Sequence, residues 1–269
     1  MIHLREIRLS LPDSETQERY PFAVPAVASL GEMPLIFDSA VTFLVGENGT
    51  GKSAILEGLA CATGSIAIAG DDPGRDPTMA AARALGARLR LTWRARTRRG
   101  YFLRAEDFVG YAKYISSLRA DLEQDLAALD AEPGPETYGR RLARGAFLNQ
   151  IGHLSQIDRV VNQTSHGESF LELFQRRFVP HGLYLLDEPE APLSPVRQLS
   201  LLVLLREMIE TGESQFVIAT HSPILMAFPG ATIYALDRGA PHRIAWGNLE
   251  HVTLTRDFLD DPEAFLRRL

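Results

Sequence analysis

Three short stretches of this chain carry the residue types that phosphate chemistry requires. The first, Gly46-Glu47-Asn48-Gly49-Thr50-Gly51-Lys52-Ser53, follows the apolar run Val41 to Val45. It precedes a segment, Ser53 to Ala62, in which Ile55, Leu56, Leu59 and Ala60 fall on one helical face. Strand, glycine-rich loop and helix therefore follow in succession. Glycines at 46, 49 and 51 let the backbone curl so that the N–H groups of residues 46–53 point inward, and the helix start adds the positive end of its dipole. In such a loop Lys52 neutralises the outer phosphates of a nucleoside triphosphate and the Ser53 hydroxyl ligates magnesium. The second stretch is an apolar strand, Leu183 to Leu186, that ends in Asp187-Glu188. Asp187 is suited to holding the metal, and Glu188 to taking a proton from the attacking water as general base. The third, Thr220-His221-Ser222, ends the next apolar strand, so His221 is expected at the same sheet edge as Asp187, within reach of the terminal phosphate.

These residues need a scaffold that brings three strand ends together, and the hydropathy pattern supplies one. His3 to Leu9 and Val41 to Val45 read as strands, and Gly70 to Pro77 reads as a surface loop. Ala87 to Ala95 alternates strictly before a turn at Thr97 to Gly100 and a return strand at Tyr101 to Leu103, the pattern of a hairpin. Tyr111 to Leu129 and Arg140 to Val161 read as helices separated by a breaker at Glu132 to Gly139. From Gly182 an α/β rhythm resumes, with strand Leu183 to Leu186, helix Val196 to Glu210, strand Gln215 to Ala219, helix Ile224 to Phe228, strands near Ile233 and Ile244, and a short terminal helix from Glu263. The expected organisation is one α/β domain. Its nucleotide lobe, residues 1–105 and 170–269, forms a single sheet around a helical lobe at 106–169.

At 269 residues the chain can bury a full core. A net charge of −6 argues against nonspecific nucleic-acid binding by the whole surface while leaving room for a local basic patch. The single cysteine, Cys61, cannot close an internal disulfide, and the N-terminus lacks the apolar core of a secretion signal. The longest apolar run, around Leu199 to Leu205, is too short to cross a bilayer. A cytoplasmic protein without membrane insertion is expected.

Taken in order, Gly46-x-Asn48-Gly49-x-Gly51-Lys52-Ser53, Ser165-His166-Gly167-Glu168-Ser169, Asp187-Glu188-Pro189-Glu190-Ala191 and His221 resemble the phosphate loop, signature, Walker B and switch histidine of ABC-class ATPases. The wording is most similar to small stand-alone bacterial ATPases related to recombination-repair and chromosome-structuring ATPase heads. The resemblance implies a P-loop NTPase fold of ABC-ATPase type, a mixed sheet with flanking helices, N-terminal antiparallel strands and a small helical lobe. It implies ATP and Mg2+ as ligands, ATP hydrolysis, and a head-to-tail homodimer in which Ser165, Gly167 and Glu168 of one copy touch the γ-phosphate held by the other. Two stretches depart from transporter members. His166 and Glu168 stand where glycine and glutamine are usual, and Ser194 where an aspartate commonly sits.

Several assignments stay open at this level. Glu106 is the candidate for the role of the glutamine loop or a plain surface acid. Tyr20 or Phe22 either stacks on adenine or belongs to the core. The arginines at 88, 90, 94, 96, 98 and 99 suit a nucleic-acid backbone, a partner protein, or a solvated strand face. Two functional classes fit: an autonomous ATPase switch acting with DNA or a partner protein, and the energy-coupling subunit of a membrane transporter. The short helical insert excludes long coiled-coil arms.

Overall fold

A computed structural model describes residues 1–65, 77–131, 134–135, 137–163, 166–237 and 239–267. Side chains at 105–115, 153, 156–163, 166–169 and 173 are likewise not described. The chain divides into two compact units, Met1–Ala105 with Phe178–Leu269, and Glu106–Arg177. The return to the first unit falls at Phe178 rather than at 170, because the helix that begins at His166 continues to Arg176.

The first unit starts with β1 (Leu4–Leu9), the short helices α1 (Ser14–Gln17) and α2 (Pro25–Ala28), β2 (Leu35–Ile36) and β3 (Val41–Val45). Next come α3 (Lys52–Thr63), α4 (Ala80–Gly86), β4 (Leu89–Trp93) and β5 (Phe102–Arg104). The second unit is helical, with α5 (Ala105–Ala131) leading out of β5, then α6 (Tyr138–Gln163) and α7 (His166–Arg176). Within it Arg144 meets Asp130 at 3.3 Å, and the rings of Phe170 and Phe174 stack with centroids 6.4 Å apart. The first unit is completed by β6 (Leu183–Asp187), α8 (Pro195–Glu210), β7 (Gln215–Ala219), β8 (Thr232–Ala235), β9 (His242–Arg243), α9 (Glu250–Asp260) and α10 (Pro262–Leu266). Between β7 and β8 the expected helix at 224–228 is only a 3₁₀ turn, Leu225–Ala227.

The strands form two sheets rather than the single one expected. One is antiparallel, ordered β2-β1-β4, and the other is mixed, ordered β5-β6-β7-β3-β8-β9, with an antiparallel β9 at its edge. Every residue of β3, β6 and β7 is buried, which is why these strands read as continuous apolar runs. By contrast β4 alternates, with Leu89, Leu91 and Trp93 half-buried and Arg90 and Thr92 exposed, so only one of its faces is covered.

The expected hairpin between β4 and β5 does not form. β4 pairs antiparallel with β1, with Ile7 opposite Leu91, whereas β5 pairs parallel with β6, with Arg104 opposite Asp187. Tyr101, Phe102 and Leu103 are buried and find their cover beside β6 at the edge of the larger sheet, which the half-covered β4 cannot offer. Gly100 makes the passage between the sheets. Its φ is +108°, and a Cβ built on it would lie 1.8 Å from the carbonyl oxygen of Leu183.

Gln215 ties the two sheets together. Its Oε1 accepts from the backbone N–H of His3 and of Leu4, both at 2.8 Å, and its Nε2 donates to the Leu4 carbonyl at 2.9 Å. A fully buried amide thus substitutes for ladder bonds at the start of β1. α3 packs against α4 over glycines, since a Cβ on Gly86 would come within 2.8 Å of the Gly58 carbonyl oxygen.

Candidate functional site

The parallel strands end in register. Val45 stands opposite Ala235, Leu44 opposite Ala219, and Ala219 opposite Asp187. The residues that follow these ends, Gly46 onward, Glu188 and Thr220-His221, therefore emerge on one edge, where open α/β sheets offer a ligand crevice. Backbone bonds fix this edge. The N–H of Glu188 donates to Ala219 at 2.9 Å, and that of Leu236 donates to Val45 at 2.9 Å.

The loop after β3 turns through left-handed glycines, with φ of +147° at Gly46, +82° at Gly49 and +104° at Gly51. Gly51 packs against α2, and a Cβ there would meet Val24 at 2.8 Å. The Thr50 hydroxyl donates to the Glu47 carbonyl at 2.8 Å. Lys52 is buried, and its ammonium donates to the carbonyls of Gly46 at 2.8 Å and Glu47 at 3.1 Å. Burial lowers the Lys52 pKa, opposed by Glu188, Asp187, Glu47 and Glu190.

Four carboxylates therefore act on one ammonium. A divalent cation would offset part of that negative charge. Asp187 is placed to supply one ligand to such a cation. It is 7% exposed, and burial pushes its carboxyl up to about 7, against the opposing effect of a hydrogen bond from the Ser53 side chain. Its Oδ1 is buried and has no hydrogen-bond partner among the described residues. An orphaned carboxylate oxygen beside a serine hydroxyl fits magnesium, which takes one or two protein oxygens and completes its shell from phosphates and water. No group of three or more His, Cys, Asp or Glu side chains able to hold a metal occurs among the described residues.

Glu188 sits in a left-handed conformation at φ +48°, a backbone state that costs a non-glycine residue about 1 kcal/mol or more and that aims its side chain off the strand line. Its Oε1 lies 3.7 Å from Nε2 of His221. The His221 backbone N–H donates to Oε1 of Glu190 at 2.7 Å. Glu190 is itself half-buried, and that burial raises its pKa. Burial also lowers the pKa of His221, reinforced by the charge of Lys52 and opposed by Glu188, so the neutral ring is favoured.

Gly46, Glu47, Asn48, Gly49, Thr50, Gly51, Lys52, Ser53, Asp187, Glu188 and His221 thus share one edge of the larger sheet. Ser165 lies outside the described residues, as does most of the expected loop at 70–77, and Gly167, Glu168 and Glu106 are described only as backbone in α7 and α5. Phe22 is core at 5% exposure, while Tyr20 is 64% exposed. Two members of the site carried no sequence signal of their own. Glu190 stood in the Asp187-Glu188-Pro189-Glu190 wording without a role. His251 lies on a helix that the sequence reading did not contain, and it lines a cleft beside the loop with Gly46, Glu47, Asp237 and Glu250.

A glycine-rich loop after a central strand, flanked by the His221 strand and then the Asp187 strand, decides the fold. The chain has an α/β P-loop NTPase fold. The sequence profile of a family described as "AAA domain, putative AbiEii toxin, Type IV TA system" matches residues 170–227, a stretch that contains Asp187, Glu188 and His221. No curated protein matches the chain. Among solved structures, the chain is similar to a "putative metal-chelate type ABC transporter" in an inward-facing conformation, at 18% identity and TM-score 0.48 over 96% of this chain and 90% of that one. It is also similar to cbiO1 of Clostridium perfringens, part of the ABC transporter complex cbiONQ, at 14% identity and TM-score 0.46 over all of both chains. The Smc head domain of Pyrococcus furiosus matches at 12% identity and TM-score 0.45, over 98% of this chain and all of that one.

Proposed function

We propose that this P-loop NTPase binds ATP with magnesium and hydrolyses it to ADP and phosphate in a head-to-tail homodimer. What supports the reading most is the convergence of Lys52, Asp187, Glu188 and His221 from three separate strand ends on one edge. The loop N–H groups and Lys52 hold the phosphates, the ammonium leaving the carbonyls of Gly46 and Glu47 to do so. Ser53 and Asp187 hold the magnesium, which when bound neutralises phosphate oxygen charge. Glu188 takes a proton from water as that water's oxygen bonds to the γ-phosphorus. The bond from phosphorus to the bridging oxygen breaks, and its electron pair leaves with ADP. His221 donates a hydrogen bond to the developing charge. In this reading Ser165, Gly167 and Glu168 of a second copy complete the γ-phosphate shell, so hydrolysis depends on dimerisation. A cytoplasmic setting suits the substrate. No described helix is long and apolar enough to cross a membrane.

The test is the size of Glu188→Gln in solution with and without ATP and magnesium. Removing the base slows hydrolysis by roughly 10²–10⁴-fold while keeping the phosphate contacts. An ATP-dependent shift from monomer to dimer that Ser165→Arg abolishes is the expected outcome. ATP binding without any change of size refutes the dimer mechanism.

A further inference from the structure

The site holds one more imidazole than the proposed chemistry uses. His251, on the first turn of α9, places its Nε2 3.5 Å from Nδ1 of His221, with ring centroids 5.5 Å apart and planes inclined at 57°. The same Nε2 lies 3.8 Å from Oε1 of Glu47 in the phosphate loop. On the other side of His221, Nε2 faces Glu188 Oε1 at 3.7 Å. The ring of His221 therefore stands between His251 and the carboxylate, one nitrogen toward each.

A neutral imidazole carries one N–H, and which nitrogen bears it is set by what the other faces. With the proton on Nδ1, His221 turns a lone pair toward the Glu188 carboxylate and toward any phosphate oxygen beyond it, an arrangement of acceptor against acceptor. With the proton on Nε2, the ring can donate to either, but its bare Nδ1 then calls for a donor. The group facing Nδ1 is His251 Nε2, and the carboxylate of Glu47 beside that same nitrogen favours the tautomer of His251 that carries its proton there, a single hydrogen that the two acceptors share. We propose that His251 is a positioning residue that donates its Nε2–H to Nδ1 of His221 and so holds His221 in the tautomer presenting Nε2–H to Glu188 and the terminal phosphate. At 3.5 Å the histidine pair is at the outer limit of a hydrogen bond and the two carboxylate contacts, at 3.7 and 3.8 Å, lie beyond it, so the relay must tighten when a ligand draws the His221 N–H toward itself. The catalytic consequence rests on the proposed role of His221 in ATP hydrolysis, whereas the tautomer does not.

Two measurements separate these. The first is the long-range 1H–15N spectrum of the histidine rings in the full chain without added nucleotide, with His221 assigned from a His221→Asn sample. The wild-type ring is expected to show Nε2 as the protonated nitrogen and Nδ1 as the bare one. His251→Ala is expected to shift His221 toward the Nδ1–H form, and His251→Gln, whose amide can still donate, to return it. The second is steady-state hydrolysis. His251→Ala is expected to lower kcat roughly 10- to 100-fold with KM for ATP changed less than about two-fold, and His251→Gln to recover most of that loss. A His221 ring that keeps its Nε2–H in His251→Ala, or a kcat that does not fall, overturns the proposal. If the tautomer follows residue 251 while the wild-type protein hydrolyses no ATP, the positioning stands and the ATPase reading falls.

Discussion

Asp187 makes this site sensitive to pH in a direction that can be worked out. Its carboxyl has an ordinary value of 3.8 and is held at about 7 in the folded chain, chiefly by burial. A carboxyl whose native pKa is raised binds its proton more tightly when folded. Its contribution to stability is fully present below the unfolded value of 3.8 and is lost as pH rises through about 7. Between about pH 4.5 and pH 8 the loss amounts to about 3 kcal/mol. Asp187→Asn keeps the shape and cannot ionise, so it escapes this loss. In buffer with a chelator and no nucleotide, the midpoint of thermal unfolding of the Asn variant should rise relative to wild type by roughly 6–9 °C from the acid end of that window to the alkaline end. Differential scanning fluorimetry across the window reads this directly. Parallel curves for the two proteins would refute the reasoning, since they would mean that Asp187 is ionised at no cost. Magnesium with ATP should abolish the difference, and near neutral pH its binding should release a proton from wild type that Asp187→Asn does not release, visible as a buffer-dependent enthalpy.

Two further substitutions probe the scaffold. Gly100→Ala puts a methyl group 1.8 Å from the Leu183 carbonyl oxygen at a left-handed φ, so it should cost more than about 3 kcal/mol in chemical denaturation, whereas Gly64→Ala, also left-handed but with open space around it, should cost only about 1 kcal/mol. Equal losses would show that the close approach does not govern the fold. Gln215→Leu removes the amide that serves His3, Leu4 and the Leu4 carbonyl, and is expected to destabilise by about 2–4 kcal/mol and to raise hydrogen exchange at the start of β1. Unchanged exchange there would show that the two sheets are held by other contacts.

The chemistry-bearing stretches were legible because each couples a buried parallel strand, read as an unbroken apolar run, to polar residues placed just past its end. Gly46 to Ser53 and Asp187-Glu188 fall where periodicity puts them. The pairing of β4 was not legible from pattern. Two strand-like runs joined by a short turn ending in glycine form a hairpin by local rules, and only the complete burial of Tyr101 to Leu103 against β6 shows that they part. Gln215 is equally silent in a sequence, since a polar residue at a strand start reads as surface until its three backbone partners appear. The helix at Glu250–Asp260 has no clear signal in the sequence, so nothing there brings His251 beside His221. The left-handed backbone at Glu188 is likewise a tertiary fact, because glutamate carries no local preference for it.

The order of strands in the larger sheet also constrains how the chain can come into being. β3, which leads into the phosphate loop, has β7 on one side and β8 on the other, so both of its neighbours lie beyond residue 214. During synthesis, Val41 to Val45 must wait for most of the polypeptide to emerge before either edge of that strand meets its partner. A ribosome stalled before Gln215 carries all of Gly46 to Ser53 but neither of the strands that pair with β3. Only chains extended past β8 can flank β3 on both sides, which places the closing of the sheet around that strand late in synthesis.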